Sequence, residues 1–184
     1  LNENSNELNS VNRHNFKIKG IYDVKIDSMN SLKLTFNTNF YHTESDDSLS
    51  SVNTGTNGTL KNFSNRRLQI KSDKSAISGN LLFKHKFAKA RRTLSVTADW
   101  SILDTQGKNF LRSFNQAYLD GEIAGSQKLD QMKDFNTSTK NLSAKLVYTE
   151  PLGKKYSMEV GYQLAYNYGN NDQLTYSYTP VSNK

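Results

Sequence analysis

The stretch KYSMEVGYQLAYNY at residues 155–168 decides the fold class, because its apolar and polar residues alternate without a break. Every second position from Tyr156 to Tyr168 is aromatic or aliphatic, and the positions between them are polar or small. Successive side chains of a strand point to opposite faces, so period two indicates a β-strand with one apolar and one polar face. This stretch therefore predicts a long strand that separates two different environments.

The same alternation occurs in five further segments, at residues 16–26, 32–40, 77–87, 94–102 and 142–149. Short turns near residues 29, 90 and 152 join the six segments in pairs, and we predict three hairpins over about residues 13–42, 76–103 and 140–178. Between the hairpins the pattern dissolves into polar residues, which predicts long loops over about residues 41–75 and 103–139. The predicted fold is all-β, an antiparallel up-and-down meander of about six long strands.

Charge is segregated between the two faces of these strands. None of the alternating positions on the apolar face is Asp, Glu, Lys or Arg, whereas the other face carries many charged residues. A lipid-facing Lys or Arg at the bilayer midplane costs about 2 to 4 kcal/mol, which explains an apolar face without charges. The polar face would then line a water-filled or plugged interior, and its lysines include Lys17, Lys19, Lys25, Lys33, Lys84, Lys86 and Lys145.

Strand length and loop asymmetry favour a membrane wall over a soluble sheet. The six predicted strands run about 8 to 13 residues, against roughly five or six in soluble domains, and a tilted strand needs roughly 9 to 11 to cross the hydrocarbon layer. Short turns at one end and long connections at the other are typical of outer-membrane barrels. Six strands cannot close such a barrel, so we interpret residues 1–184 as one partial outer-membrane β-barrel within a larger parent chain.

Composition excludes several other classes. The chain has 184 residues, 35% hydrophobic content and a mean hydropathy of −0.75, with no apolar run long enough for a membrane-spanning helix. Its 11% aromatic content argues against disorder. The absence of cysteine removes disulfides, thiolate metal sites and a cysteine nucleophile. The net charge of +7 is explained by lysines on the polar face, so nucleic-acid binding is not needed to account for it.

Three groups of residues are candidates for metal or acid–base sites. His14, His42 and His85 are scattered, and none lies at metal-ligand spacing with another ligand on its own strand face. The carboxylates Glu44, Asp46 and Asp47 lack the glycine and the terminal glutamate of a calcium-binding loop. Asp23 and Asp99 fall in different hairpins, where salt bridges to lysines are the expected role.

The remaining chemistry-bearing patterns are weaker. The basic pairs Arg66-Arg67 and Arg91-Arg92 are too short for a nucleic-acid patch, and lipopolysaccharide phosphates or water would satisfy them. No nucleophile elbow or phosphate-binding loop occurs. We predict no catalytic, cofactor-binding or metal site, no cofactor and no enzymatic activity.

Two segments resemble a known family. The turn YTEPLGKK at residues 148–155, and FKHKF at residues 83–87 followed by RRTLS at residues 91–95, are similar to the outer-membrane β-barrel family of Bacteroidota, which is related to TonB-dependent receptors. The resemblance covers about residues 12–178. It implies a large barrel in the cell outer membrane with a plug domain, importing a bulky nutrient with energy from an inner-membrane partner.

The resemblance implies the first of three alternative functions. The first is a barrel segment of a nutrient receptor, with outer-membrane lipid, lipopolysaccharide, the rest of the barrel, the plug and the energy-coupling protein as partners, and no nucleic acid. The second is a surface barrel or adhesin without transport. The third is a soluble β-sandwich binding module whose apolar faces pack on each other.

Overall fold

A computed structural model describes residues 2–178 as a single antiparallel sheet. Its strands are β1 (Asn2–Lys25), β2 (Asn30–Thr54), β3 (Leu60–Lys86), β4 (Thr93–Leu119), β5 (Glu122–Pro151) and β6 (Ser157–Ser177). Each strand pairs with the next along the chain, in the order β1-β2-β3-β4-β5-β6. The predicted all-β meander of six long strands is confirmed.

The strand registers bring all six apolar columns to the same face of the sheet. One continuous row across the strands consists of Val24, Leu32, Phe83, Val96, Leu146 and Tyr162. A slip of one residue in any pair would turn that strand's apolar column to the opposite face. The sheet therefore has one apolar face and one polar face over its whole width. We call these the outward face and the inward face.

Apart from Pro151 beside a tight turn, no apolar side chain is buried in residues 2–178. On the outward face, for example, Tyr162 is 63% exposed and Leu164 is 58% exposed. A β-sandwich would cover such a face with a second sheet, but the described residues form one sheet only. The soluble-sandwich alternative is therefore wrong, and a lipid environment accounts for the uncovered face.

The apolar columns occupy only the part of each strand nearest the tight turns. We call this part the membrane band, and it comprises residues 16–26, 32–40, 77–87, 94–102, 142–149 and 156–168. Aromatic residues mark its borders. Phe16 lies opposite Phe40 at one border, and the rings of Phe87 and Tyr148 meet edge to face at the other, with centroids 6.1 Å apart.

The prediction of long loops over residues 41–75 and 103–139 is wrong. Both segments continue the strands of the membrane band as paired β-structure, and β1 also extends back to Asn2, well before the predicted start of its hairpin near residue 13. The chain reverses between Thr54 and Leu60, and again at Asp120 and Gly121. We call residues 41–75 and 103–139 the projecting hairpins. From residue 41 to residue 54 alone, β2 extends about 45 Å beyond the band along the strand.

The projecting hairpins lack the apolar alternation that a lipid-facing strand requires. Backbone pairing continues regardless of which side chains a strand carries, so a polar strand extends an existing ladder without a buried face. The tip at Asp120-Gly121 has positive φ at both residues, 52° and 89°. This conformation is that of a two-residue type I′ hairpin turn, for which Asp-Gly is a preferred sequence.

Two glycines of the membrane band lie under aromatic rings of the neighbouring strand. Gly20 pairs with Phe36, and Gly79 pairs with Trp100. A Cβ atom at either glycine would overlap the ring of its partner. Each ring therefore occupies the space of a missing side chain on the outward face, which locks the register of its strand pair.

Among residues 2–178 there is no helix with the length and apolar character needed to cross a membrane.

Candidate functional site: the inward face and the projecting hairpins

The inward face of the membrane band is lined with lysines. Those predicted from the sequence all lie on it, because the registers that align the apolar columns also align the positions between them. The side chains of Lys17, Lys19, Lys25, Lys33, Lys84, Lys86 and Lys145 are exposed. None of them forms an ion pair with a carboxylate in the described part of the chain.

Asp23 and Asp99 share the inward face with these lysines but do not form the expected salt bridges within residues 2–178. Asp99 instead accepts a hydrogen bond from the Asn80 amide, 2.6 Å from Nδ2 to Oδ1. Strands β2 and β3 separate the two carboxylates. A shared acid–base role therefore has no geometric basis.

Four side-chain oxygens on the inward face are buried without a hydrogen-bond partner in the described residues. They belong to Asn39, Asp47, Asn53 and Asn109. Three of these residues lie on β2 and one on β4, at positions of the same parity as the inward residues of the band. Buried acceptors are normally paired with a protein donor or an ordered water, so these four oxygens are exceptions within the described residues.

The projecting hairpins are held together by cross-strand ion pairs on their outward face. Asp46 accepts two hydrogen bonds from the Arg67 guanidinium, at 2.9 and 2.5 Å, and a third from Gln69 at 2.9 Å. These donors lower the pKa of Asp46 to about 2, with Arg67 as the largest cause. The basic pair Arg66-Arg67 thus has a protein partner through Arg67, which corrects the expectation that lipid phosphates or water would satisfy it.

Glu44 is the second carboxylate of this ladder. Its Oε1 lies 2.9 Å from the Lys71 ammonium and 3.7 Å from Nε2 of His42. The hydrogen bond from Lys71 is the main reason that the pKa of Glu44 falls below its usual value. Asp47 points to the opposite face, so the acidic cluster predicted as part of a loop is a strand whose carboxylates diverge. No group of three ligands in the described residues is arranged to hold a metal ion.

His14 and His42 are neighbours just outside the membrane band, although they are far apart in sequence. They are register partners on β1 and β2, and their rings stack at a centroid distance of 6.5 Å. His42 Nδ1 lies 2.6 Å from Asp73 on β3, and this hydrogen bond raises the pKa of His42. Sequence reasoning missed the cluster because it compared ligands along single strands. The turn near residue 29 fixes the register that brings these residues together.

The same cluster borders an open depression of about 500 Å³ on the outward face. Its rim includes Phe16 and Phe40 at the border of the membrane band, and Asp104 and Gln106 on β4. Polar and aromatic side chains therefore meet where the outward surface passes from lipid to water. This composition suits the headgroup region of a bilayer.

At the opposite end of the band, Glu150 ties two tight turns together. Its carboxylate lies 2.7 Å from the Arg92 guanidinium and 2.6 Å from the Lys89 ammonium, and it accepts a hydrogen bond from the Tyr148 hydroxyl at 2.6 Å. These three donors, Arg92 first, hold the pKa of Glu150 well below its usual range. The side chain of Glu150 is only 17% exposed, which makes it the most enclosed carboxylate among the ion pairs described.

Arg91 completes this turn cluster by donating to the Gly153 carbonyl at 2.6 Å. The pair Arg91-Arg92 therefore has partners within the protein, in contrast to the expectation of lipid phosphates or water. His85 also belongs to this end of the sheet, where it lies 2.7 Å from Asn30 and edge to face with Phe87 at 4.4 Å. We assign the cluster to the mechanical connection of hairpins, since each of its polar side chains has at least one protein partner.

An antiparallel meander with one lipid-compatible face and one charged face defines a class of protein, the transmembrane β-barrels. The sequence profile of the outer membrane protein β-barrel family matches residues 85–184, which is more than half of the chain. The chain belongs to this family, and its location is the outer membrane.

Two further comparisons add nothing to this assignment. No curated protein matches the sequence. Among solved structures, the membrane pore complex of pneumolysin determined by cryo-EM is similar at 11% identity and a TM-score of 0.18. That alignment covers 99% of this chain and 32% of the pneumolysin chain, so the chain spans about a third of that protein's length.

Proposed function

We propose that this sheet is part of the wall of an outer-membrane receptor that takes up nutrients, of the kind related to TonB-dependent receptors in Bacteroidota. The observation that carries the proposal is the opposition of the two faces across all six strands. An apolar outward face and a lysine-rich inward face enclose a polar interior when the sheet curves into a barrel. Binding and passage of solutes, without catalysis, are the activities that such an interior supports.

The proposal includes the orientation and partners of the barrel. The tight turns near residues 29, 90 and 152 lie on the periplasmic side, and the projecting hairpins extend outside the cell, in keeping with the usual asymmetry of such barrels. The outward face contacts outer-membrane lipid and lipopolysaccharide. The remaining strands, a plug and an energy-coupling inner-membrane protein complete the receptor, and nucleic acid has no place in it.

Uptake by intact cells tests this function. A strain lacking the whole barrel protein is compared with its parent for uptake of a panel of radiolabelled oligosaccharides and other nutrients, with and without a protonophore. We expect at least one solute whose uptake requires the barrel and stops when the proton gradient collapses. Equal uptake of every solute by the two strains would contradict a receptor role.

The length of the projecting hairpins favours a second function, adhesion at the cell surface. Ion-paired hairpins that extend about 45 Å beyond the membrane band present a large surface without any need for transport. Deleting residues 44–71 and joining Thr43 to Ser72 through an Asn-Gly turn would shorten one hairpin while keeping its register, because these two residues are partners. Loss of surface attachment with normal uptake would assign this hairpin to adhesion.

A further inference from the structure

The inward face of the membrane band carries a strong excess of positive charge. Seven lysines and three carboxylates lie on it, and the strand registers place them on a common surface. The lysines are Lys17, Lys19, Lys25, Lys33, Lys84, Lys86 and Lys145, and the carboxylates are Asp23, Asp99 and Glu159. The face also contains no arginine within the band.

The lysines of the inward face have no acidic partner, unlike several cations of the projecting hairpins. On the projecting hairpins Lys71 is 2.9 Å from Glu44, Lys108 is 3.9 Å from Asp134 and Arg112 is 3.5 Å from Asp130. Within residues 2–178, none of the seven inward lysines forms an ion pair. Their positive charge is therefore available to a molecule in the interior.

These charges extend through the full height of the membrane band. On β1 alone, Lys17 and Lys25 are eight residues apart, which corresponds to about 26 Å along the strand. Other lysines repeat the charge on β2, β3 and β5. A low-dielectric wall concentrates the field of such a column into the enclosed space, where potentials of several kT attract ions of opposite sign.

We propose that the interior of this barrel admits anionic solutes in preference to neutral and cationic ones, with the inward lysines as the selective element. The proposal rests on the function above, in which the interior is a path for solutes. Lysine suits a path better than arginine does, because its hydrated ammonium acts as a point charge and lacks the rigid fork that holds a carboxylate or phosphate in two hydrogen bonds. Rings of basic side chains select anions in other pores, and weak repeated sites allow release.

Charged thiol reagents measure this selectivity in the complete barrel protein. The segment contains no cysteine, so a single Ser78→Cys substitution places one thiol on the inward face of β3. Ser126→Cys on the exposed outward side of β5 provides the reference thiol. The barrel, free of other cysteines and reconstituted in lipid, is treated with an anionic sulfonatoethyl methanethiosulfonate or with the cationic trimethylammonium reagent.

We expect the ratio of anionic to cationic reaction rates at position 78 to exceed the ratio at position 126 by about tenfold. Replacing Lys17, Lys19 and Lys33 by Gln together should bring the two ratios close together. The control replaces Lys61, Lys128 and Lys154 by Gln, which removes the same charge outside the band and should leave the ratio at position 78 unchanged.

Two results would overturn the proposal. Equal ratios at the two positions would mean that the lysines create no field in the interior. Failure of both reagents to reach position 78 would mean that protein covers the inward face, so that the lysines contact a plug instead of solutes. A raised ratio combined with normal nutrient uptake in the deletion strain would retain anion preference and refute the receptor function alone.

Discussion

At the scale of single residues, the sheet depends on a few positions where side chains from neighbouring strands share one space. The rings of Phe36 and Trp100 occupy the space that a side chain at Gly20 or Gly79 would fill. The cluster of His42, Asp73 and Glu44 joins three residues from two strands where the membrane band ends. Both arrangements depend on the strand registers. Substitutions at these residues therefore test whether the registers are as described.

Substituting Gly79 by Ala should destabilise the barrel. The new methyl group would overlap the Trp100 indole and force it out of its position, and overpacking of this kind costs about 1 to 3 kcal/mol. The temperature at which the folded barrel loses its gel mobility in detergent measures the loss. Gly169→Ala is the control, because nothing lies within 4 Å of a Cβ at that position. A G79A barrel as heat-stable as the control would contradict the packing described.

The pH dependence of the His42 contact has a defined sign. Asp73 raises the pKa of His42 above its ordinary 6.5, so the protonated form is favoured in the folded state. The stabilisation is fully present below pH 6.5 and is lost as pH rises through the higher folded value. Titration of labelled histidine by NMR should show the raised pKa, and Asp73→Asn should lower it. An unchanged His42 titration in the D73N variant would contradict this contact.

Sequence reasoning missed the histidine cluster for a physical reason. Residues of one strand face can be recognised from alternation alone, but neighbours across strands depend on where the turn centres lie. His14 and His42 are partners only because the first hairpin reverses at residues 26–30. The inward lysines could be predicted because their position follows from strand parity, which needs no knowledge of pairing.

At the scale of elements, each strand combines two halves with different physical requirements. The half within the membrane band must keep charges off one face, which leaves a clear alternation in the sequence. The projecting half needs only backbone pairing and compatible cross-strand contacts. Its sequence therefore resembles a loop, which is why alternation alone predicts long loops over residues 41–75 and 103–139.

Two signals in the projecting hairpins identify them as strands in retrospect. Asp120-Gly121 is a preferred type I′ turn sequence, and it lies midway between β4 and β5. If the register of the membrane band is continued outward, residues of opposite charge become partners, such as Glu44 and Lys71. Either signal predicts that the strands continue through the segments that lack apolar alternation.

Replacing Gly121 by Ala should loosen the tip of the β4–β5 hairpin and leave the membrane band intact. Its φ of 89° suits glycine, and a residue with a Cβ in the left-handed region costs about 1 to 2 kcal/mol. Limited proteolysis of the barrel in lipid should cut more rapidly near residue 120, with no change in heat stability. Gly125→Ala, at an open position without positive φ, is the control. Equal cleavage of the two variants would contradict the turn assignment.

At the scale of the whole molecule, the sheet is a partition between two environments and has no core of its own. Apart from Pro151, no apolar side chain is buried in residues 2–178, so the apolar face gains stability only from surroundings that the chain does not supply. The open edges of β1 and β6 lead to the same conclusion, because unpaired backbone groups in lipid cost several kcal/mol each. A closed barrel in the outer membrane satisfies both requirements.

The most direct test of this account is a spin-label scan along β6 of the complete barrel in lipid. Single cysteines at consecutive positions 157–176 carry the label, and its collisions with dissolved oxygen and with a water-soluble nickel complex report lipid and water at each site. We predict strict alternation over residues 157–168, with even positions in lipid and odd positions in water, and water at every position from 170 onward. Uniform exposure to water over residues 157–168, or lipid contact at the odd positions, would contradict the assignment of the outward face to the membrane.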